Sequence, residues 1–294
     1  MNKYNSYIFC LIAIFIFSTH EVLGKIIDSS ITPIAITIYR FFIGSFLLSL
    51  YLFFNKKKYL PTPNIKYILI ISAIGALNVC ISMYSLQLAV FYGQASIAAI
   101  LIGSNSLFVS IFALFILREK LYLKNFICMI LGLLGLLLIL YSELITSTDS
   151  NSSFLGILFA LIASVTFALY TVLSKQQIVK SNSLYFNAVS FFSGALVLLI
   201  IGLISGQDLS LSSNILNNLS VLYLGIFVTC IGYVLFFTGL SKIRTSVGSS
   251  FFLLKPVFAS ILAYVILHET LTITQMIGIL VVIISIFIIH NNSQ

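Results

Sequence analysis

Long apolar stretches separated by short polar segments dominate this chain. A helix that crosses the hydrocarbon core of a membrane needs about 20 mostly apolar residues, and the sequence divides into stretches of that length. They are residues 6–27, 33–54, 65–89, 96–117, 123–142, 154–175, 183–205, 217–240, 246–267 and 272–290. The pattern predicts an all-α integral membrane protein with ten transmembrane helices. The first stretch lacks a small-residue cleavage site, so we expect it to be retained and not removed as a signal peptide.

The composition fits no soluble domain. The 294 residues are 60% hydrophobic and 7% charged, with a mean hydropathy of +1.16. Soluble domains are about 45–50% apolar and about 25% charged. The sequence therefore predicts short loops, the lipid bilayer as its main partner, and no soluble catalytic domain.

The charged residues alternate between successive loops. One set of loops and helix ends is rich in lysine and arginine, and the loops of the other set hold acidic residues without any lysine or arginine. The basic set is Lys3, Lys56, Lys57, Lys58, Lys66, Arg118, Lys120, Lys124, Lys175, Lys180, Lys242 and Arg244, and the acidic set is Asp28, Glu143, Asp149, Asp208 and Glu269. Because basic loops stay in the cytoplasm, we expect a cytoplasmic-membrane protein with both termini cytoplasmic. The net charge of +8 follows from this bias, so nucleic acid is not an expected partner.

Residues 1–145 and 151–294 look like one segment written twice. Lys25 matches Lys175 and Glu119 matches Glu269, each pair 150 positions apart. Five spans per repeat is an odd number, so the two halves must be inverted relative to each other. Inverted repeats are typical of secondary transporters that work by alternating access, with the substrate near the midplane. Channels also show such repeats, so the pattern favours a carrier without proving one.

Three basic residues fall outside the cytoplasmic loops and helix ends, Lys25, Arg40 and Lys255, and Glu21 is the only carboxylate well inside a predicted span. Each costs at least about 2.5 kcal/mol in the bilayer core and needs a reason to be there. Helix rise places Glu21 and Arg40 at a similar depth, roughly 10 Å from the outer surface. They form either a structural pair or part of a substrate or proton site. Lys25 either reaches the outer headgroups or contacts substrate.

Lys255 lies near the midplane and precedes Pro256, which frees a backbone carbonyl in that helix. Its repeat mate is Asn105. We expect the two to face one another at the centre of a cavity; the alternative is that freed carbonyls hold Lys255 structurally. Other candidate wall residues are His20, Tyr39, Asn78, Tyr84, Gln87, Tyr170, Asn187 and Tyr233. Tyrosines at span ends are more often interfacial.

Metal and redox chemistry find little support in the sequence. Cys10, Cys80, Cys128 and Cys230 lie within spans without CxxC spacing, so we expect buried, unpaired thiols. His20-Glu21 does not continue as HExxH, because Gly24 occupies the second histidine position. We expect no metal, no cofactor and no enzymatic activity. Gly132 and Gly135 suit close helix packing.

Two further stretches resemble a known family. One joins Ala95-Ser96-Ile97-Ala98-Ala99 to Leu117-Arg118-Glu119-Lys120-Leu121, and the other runs from Ser246 through Leu254-Lys255-Pro256-Val257 to Leu267-His268-Glu269-Thr270-Leu271. Both resemble the EamA domain of the drug/metabolite transporter superfamily, as does Arg40-Phe41-Phe42. The resemblance implies two EamA repeats, with spans 1–4 and 6–9 around the cavity and spans 5 and 10 peripheral. The chain departs from the family at Asn105-Ser106, where proline is common.

The leading hypothesis is a secondary transporter of a small polar organic metabolite. An excess of intramembrane basic groups favours an amino acid or another carboxylate-bearing compound, and the family resemblance implies export. Coupling to protons through Glu21 or His20 and uncoupled uniport both fit. Alternatives are a carrier of cationic or amphiphilic drug-like compounds and a receptor or assembly subunit without flux. The sequence is compatible with a monomer or a homodimer.

Overall fold

The computed structural model describes residues 3–27, 30–55, 64–93, 95–120, 122–146, 153–267 and 272–291. Within these ranges all regular structure is helical. The helices are α1 (Lys3–Ile26), α2 (Pro33–Phe54), α3 (Ile65–Ala76, Leu77–Met83 and Tyr84–Tyr92), α4 (Ala95–Gly103 and Asn105–Ile116), α5 (Leu123–Thr146), α6 (Ser153–Ile178), α7 (Ser183–Ile204), α8 (Ile215–Tyr223, Leu224–Gly232 and Tyr233–Leu240), α9 (Thr245–Ser250, Phe251–Leu253 and Leu254–Leu267) and α10 (Ile273–Asn291).

Among the described residues, eight helices are long and apolar enough to cross a membrane. The apolar parts of α5 and α10 are shorter, Leu123–Ile139 and Ile273–Ile289. Large apolar side chains cover the outside of the bundle, for example Phe115 at 74% and Ile204 at 83% exposure. The prediction of an all-α integral membrane protein is confirmed; the crossing of all ten stretches stays a prediction.

Local signals explain where several helices begin. The Thr32 side chain accepts a hydrogen bond from the Ala35 amide at 3.3 Å, and Pro33 occupies the first turn of α2. The Asn182 side chain accepts from the Tyr185 amide at 2.8 Å at the start of α7. Asparagine and threonine at these positions satisfy amides that have no partner within the helix, and proline is tolerated in a first turn.

The sequence repeat reappears in the helix crossings. A Cβ on Gly44 of α2 would lie 2.8 Å from Thr229 Cγ2 and 3.4 Å from the Gly225 oxygen of α8. A Cβ on Gly194 of α7 would lie 2.6 Å from Val79 Cγ2 and 2.5 Å from the Gly75 oxygen of α3. The second set of residues is the first set displaced by 150 positions. Both halves therefore make the same close crossing, each with the other half.

Several helices around the centre depart from regular α-helix. α3 and α8 contain π-helical segments, Leu77–Met83 and Leu224–Gly232, which overlap under the 150-residue offset. α4 is interrupted at Ser104, and α9 passes through a 3-10 turn at Phe251–Leu253. Irregular turns of this kind are frequent at functional sites.

The interruptions in α4 and α9 pack against each other. A Cβ on Gly103 would lie 3.1 Å from the Phe252 oxygen and 3.3 Å from Pro256 Cδ. α4 has no proline at its interruption. The helix is nevertheless interrupted at Ser104, whose hydroxyl donates to the Leu101 oxygen at 2.6 Å. α4 is therefore not one continuous helix, although position 106 lacks the proline that is common in the family that the sequence resembles.

α5 and α10 pack against each other through glycines. A Cβ on Gly135 would lie 2.8 Å from the Gly278 oxygen, and one on Gly132 would lie 2.9 Å from Ser285 Oγ. Backbones can approach this closely only where a side chain is missing. The packing role predicted for Gly132 and Gly135 is confirmed.

Candidate functional site

A small cavity lies where α1, α2, α3, α4, α6, α8 and α9 meet. It has a volume of about 30 Å³, and a buried water needs roughly 10–15 Å³. Pockets for small organic molecules begin at about 300 Å³, so this arrangement has room for water but not for a metabolite. The lining residues are Phe17, His20, Arg40, Met83, Leu86, Ile102, Phe167, Val228, Tyr233, Phe252 and Lys255.

The polar lining comes from four residues on four helices. His20 on α1 and Arg40 on α2 are each 2% exposed, and Tyr233 on α8 and Lys255 on α9 are each 3% exposed. The Arg40 guanidinium carbon lies 5.0 Å from the centre of the Phe41 ring, which is a cation–π distance. Two basic side chains therefore line one buried cavity.

Lys255 reaches the cavity through the irregular part of α9. It lies two residues after the 3-10 turn and precedes Pro256, which packs on Gly103. Asn105, its repeat mate, is wholly buried on α4, and neither atom of its amide has a hydrogen-bond partner among the described residues. Asn105 is not among the lining residues, so the predicted pairing of these two across the cavity stays a prediction.

Two other candidates lie beside the cavity without lining it. The Tyr170 ring centre is 6.4 Å from that of Tyr233, and the Asn78 amide lies next to the Tyr233 hydroxyl. Both Asn78 and Tyr170 are wholly buried. They extend the polar surroundings of Tyr233 into the interior of the bundle.

Tyr39 and Tyr84 lie elsewhere. The Tyr39 hydroxyl donates to the Leu209 oxygen at 2.6 Å, so a link between α2 and the segment after α7 accounts for it without a ligand. Tyr84 is partly buried in α3 and packs against the main hydrophobic core. The side chains of Glu21 and Lys25 lie outside the described residues, so the Glu21–Arg40 pair stays a prediction.

Aromatic side chains close the cavity on one side. The Phe17 and Phe252 rings stack at 5.9 Å, and Phe167 meets Phe252 edge-on at 5.4 Å. Phe236 packs edge-on against Phe252 at 5.1 Å. Such pairs contribute about 0.5–1.5 kcal/mol beyond burial, so they make a firm barrier between the cavity and this side of the bundle.

Beyond this barrier, one end of the bundle carries a network around Glu119, which lies just after α4. The carboxylate accepts from Lys175 Nζ of α6 at 3.2 Å, from the Thr245 amide at 2.9 Å and from the Thr245 hydroxyl at 2.6 Å. Lys175 also donates to the Ile243 oxygen. We call Glu119, Lys175, Ile243 and Thr245 the Glu119 network. It ties the first half of the chain to two helices of the second half.

Electrostatics keep Glu119 ionised. Burial alone would raise the pKa of this carboxyl, but the Lys175 charge and the hydrogen bonds from Thr245 outweigh burial and lower it below its ordinary value. Thr245 is the first residue of α9, where the helix dipole also favours a negative charge. Nearby, the Arg244 guanidinium lies 4.4 Å from the centre of the Tyr122 ring. We call this end of the bundle the basic end.

The opposite end is joined by uncharged hydrogen bonds. The Ser30 and Ser212 hydroxyls are 2.6 Å apart, and the Asn217 amide donates to Ser30 at 3.1 Å. The Thr32 hydroxyl donates to the Asp208 backbone oxygen at 2.6 Å. These bonds join the start of α2 to the α7–α8 connection, again across the two halves.

None of the four cysteines is among the residues that line the cavity. All four cysteines are free, as expected from the sequence, but Cys80 and Cys230 are half-buried whereas Cys10 and Cys128 are buried. Cys80 Sγ lies 3.5 Å from the Gly194 oxygen, beside the α3–α7 crossing. Within the described residues, no group of three or more histidine, cysteine, aspartate or glutamate side chains could hold a metal ion.

Comparison with known proteins identifies the family. The model of the EamA-like transporter family matches residues 5–141 and again residues 154–290. The chain belongs to the EamA-like transporter family. The resemblance stated from the sequence motifs is thereby confirmed, and the two matches correspond to the two halves whose helix crossings repeat. The protein is a multi-pass membrane transporter.

Proteins similar in sequence to this chain are also described as transporters. An uncharacterized transporter of Clostridium kluyveri is 33% identical, with the alignment covering 98% of this chain and 94% of the relative. The uncharacterized transporter YoaV of Bacillus subtilis is 29% identical over 87% of each chain. A crystal structure that is 16% identical superposes with a TM-score of 0.80, covering 99% of this chain and 98% of the other. At this low identity, the superposition shows that the two proteins share a fold.

Sequence reasoning missed most of the cavity lining. Phe17, Phe167 and Phe252 are apolar residues in apolar helices, and nothing in the sequence distinguishes them from lipid-facing phenylalanines. It also missed the Glu119 network. A signal existed there, because Glu119 and Lys175 each have a charged repeat mate in a chain where only 7% of residues are charged.

Proposed function

We propose that this EamA-family member is a secondary transporter that exports a small carboxylate-bearing metabolite, such as an amino acid, across the cytoplasmic membrane. Alternating access is the proposed mechanism. The observation that carries this proposal is the pair of buried basic side chains, Arg40 and Lys255, on one central cavity. These two basic side chains would attract a carboxylate that enters the cavity.

The proposed topology has ten spans and places the basic end in the cytoplasm with both termini. Residues 1–145 and 151–294 then form two inverted repeats. The loop charges support this orientation, and the repeated glycine crossings support the symmetry. A cysteine at exposed Ser210 should react with an impermeant thiol reagent from outside, and one at exposed Lys242 should not. Reversed labelling would overturn the orientation.

Alternating access requires the cavity to open to each side in turn. A cavity of about 30 Å³ is too small for a metabolite, so substrate entry requires separation of helices. On the cytoplasmic side, opening would break the Glu119 network and part the aromatic barrier. On the outer side, opening would separate the outer ends of α1, α3, α4 and α6. In each transport cycle, the protein would break the helix contacts on one side and form those on the other side.

A melting-temperature screen of metabolites on the purified protein tests the substrate class. A ligand that binds only the folded state raises the apparent stability by mass action. We expect carboxylates and amino acids to raise the melting temperature of the wild type but not of Lys255→Met. Lys180→Met, which removes an exposed lysine, is the matched control and should respond like the wild type.

The aromatic lining favours a second candidate class. Phe17, Phe167 and Tyr233 could bind an organic cation through their ring faces. Stabilisation of the wild type by cations and not by carboxylates would establish that reading and reject the first. Ligand binding without flux in proteoliposomes would instead indicate a receptor.

A further inference from the structure

One face of α6 is polar although it lies inside the bundle. Tyr170, Ser174 and Gln177 are spaced four and three residues apart, so they lie along one side of the helix. Tyr170 and Ser174 are wholly buried and Gln177 is 6% exposed. This row leads from the neighbourhood of the cavity to the basic end of α6.

Neighbouring helices add two buried asparagines to this row, Asn187 on α7 and Asn78 on α3, both wholly buried. Asn187 lies one turn from Ser190, whose hydroxyl donates to the Asn187 backbone oxygen at 3.3 Å. We call Tyr170, Ser174, Gln177, Asn187 and Asn78 the α6 polar file.

Polar atoms throughout the α6 polar file lack protein partners. Both amide atoms of each asparagine, the Tyr170 hydroxyl, the Ser174 hydroxyl and Gln177 Oε1 have no hydrogen-bond partner among the described residues. The Tyr170 hydroxyl lies near those of Ser174 and Ser190 without forming a well-aligned hydrogen bond to either. Each unsatisfied buried group costs on the order of 1–3 kcal/mol, and together they would rival the whole stability of a protein, about 5–15 kcal/mol.

The file is continuous at both ends. At the inner end, Tyr233 lines the cavity and adjoins both Tyr170 and the Asn78 amide. At the basic end, the hydroxyl of the partly exposed Tyr67 donates to the Gln177 backbone oxygen at 2.8 Å and lies 2.7 Å from the Ser181 hydroxyl. Polar groups therefore succeed one another from the cavity to the surface.

The described side chains of the first half show no matching row. The repeat mates of Ser174 and Gln177 are Gly24 and Ile27. The mates of Tyr170 and Ser190 are His20 and Arg40, which belong to the cavity itself. Among the described side chains, the polar row leads towards the basic end.

We propose that the α6 polar file binds a chain of water molecules that connects the central cavity to the basic end. Buried waters typically make about three hydrogen bonds to polar groups that would otherwise be unsatisfied, which is what these side chains offer. The chain of water molecules lies beside the aromatic barrier and the Glu119 network. Water therefore reaches the cavity from the basic end even while the barrier and the network are closed. This inference depends on neither the substrate nor the direction of transport.

Hydroxyl-radical footprinting of the full-length protein in lipid nanodiscs tests the water file, because radicals produced from bound water label the side chains beside it. Tyr170 and Phe236 are both wholly buried, and each rate is normalised to that of the unfolded chain. We expect Tyr170 to be labelled about tenfold faster than Phe236, since only Tyr170 adjoins bound water. Equal slow labelling of the two would overturn the proposal.

Variants separate bound water from general loosening. Ser174→Val and Asn187→Leu should each reduce Tyr170 labelling to the level of Phe236 while leaving Tyr67 labelling unchanged. Thr171→Val is the matched control on α6, because the Thr171 hydroxyl already donates to the Phe167 oxygen at 2.8 Å, and it should change nothing. Unchanged Tyr170 labelling in both test variants would count against the file.

Stability gives a second, independent readout. If the file were dry, Asn187→Leu would remove two uncompensated polar atoms and raise the melting temperature. If water satisfies the amide, the change breaks those hydrogen bonds and lowers the melting temperature. A rise would contradict the proposal even if the labelling experiment could not be completed for that variant.

Discussion

The two halves of this transporter share their helix crossings and differ at their centre. Gly44 meets α8 as Gly194 meets α3, with contact residues displaced by the same 150 positions. At the centre, His20 and Arg40 in the first half correspond to Tyr170 and Ser190 in the second. The scaffold is therefore symmetric while the polar chemistry is not.

The difference has a physical basis. A helix crossing without room for a Cβ accepts almost no substitution, because overpacking forces backbones apart. A polar residue beside a hydrated cavity has more freedom, provided that its hydrogen bonds are satisfied. Function can then diverge between the halves without loss of the shared architecture.

The largest expected effect tests whether the position of the central charge matters. Lys255→Asn combined with Asn105→Lys moves the amine to the repeat mate and keeps the net charge. We expect substrate flux in proteoliposomes to be lost, as in Lys255→Met, because Lys255 lines the cavity and Asn105 does not. Lys255→Arg should restore flux only in part, since a planar guanidinium replaces a compact ammonium poorly. Full flux in the swapped variant would show that the halves are interchangeable at this point.

A second prediction compares matched glycines at the two crossings. A Cβ on Gly75 would lie 2.0 Å from the Ser190 backbone oxygen, whereas one on Gly225 would lie 2.7 Å from Ile43 Cγ2, a side-chain atom. Gly75→Ala should destabilise by about 3 kcal/mol and Gly225→Ala by about 1 kcal/mol. Melting temperatures in detergent measure both, with Gly202→Ala, whose Cβ would lie 3.3 Å from Ile34 Cδ1, as the mild control. Equal losses at Gly75 and Gly225 would mean that backbone and side-chain contacts yield equally.

A third prediction concerns the ion pair that joins the halves at the basic end. Lys175 and Glu119 side chains are 13% and 16% exposed, so solvent screens the pair only in part. A double-mutant cycle with Glu119→Gln and Lys175→Met should give a coupling free energy on the order of 1–2 kcal/mol. Chemical unfolding of the four proteins measures it. Additive losses would mean that Glu119 acts through Thr245 alone.

The smallest expected effect is on pH dependence. The pKa of Glu119 is lowered in the folded protein, so its contribution to stability is present above its ordinary pKa and is lost as the pH falls through the folded value. As the pH falls from neutral through the ordinary pKa of a glutamate carboxyl, about 4.3, and below it, the wild type should lose more stability than Glu119→Gln. Asp208, whose pKa is also lowered, is present in both proteins and cancels. Parallel curves would contradict the role of Glu119.

Composition and periodicity determined the class of this protein. Apolar stretches of helical length leave the membrane as the solvent for most of the chain, and the mates Lys25 and Lys175 reveal the repeat. The location of Arg40 and Lys255 within spans marked them as candidates because a charge in hydrocarbon always requires a reason. These conclusions rest on features that each segment carries by itself.

The tertiary structure decided which residues meet. Phe252, Tyr233 and Arg40 share one cavity because helices distant in sequence cross there, and no local pattern encodes such a crossing in a uniformly apolar chain. The same applies to Glu119 with Thr245, which are 126 positions apart, and to the orphaned amides of Asn78 and Asn187. The sequence determined that these polar groups are in the membrane, whereas packing determined their partners, since hydrogen bonds and ion pairs depend on positions of a few ångströms.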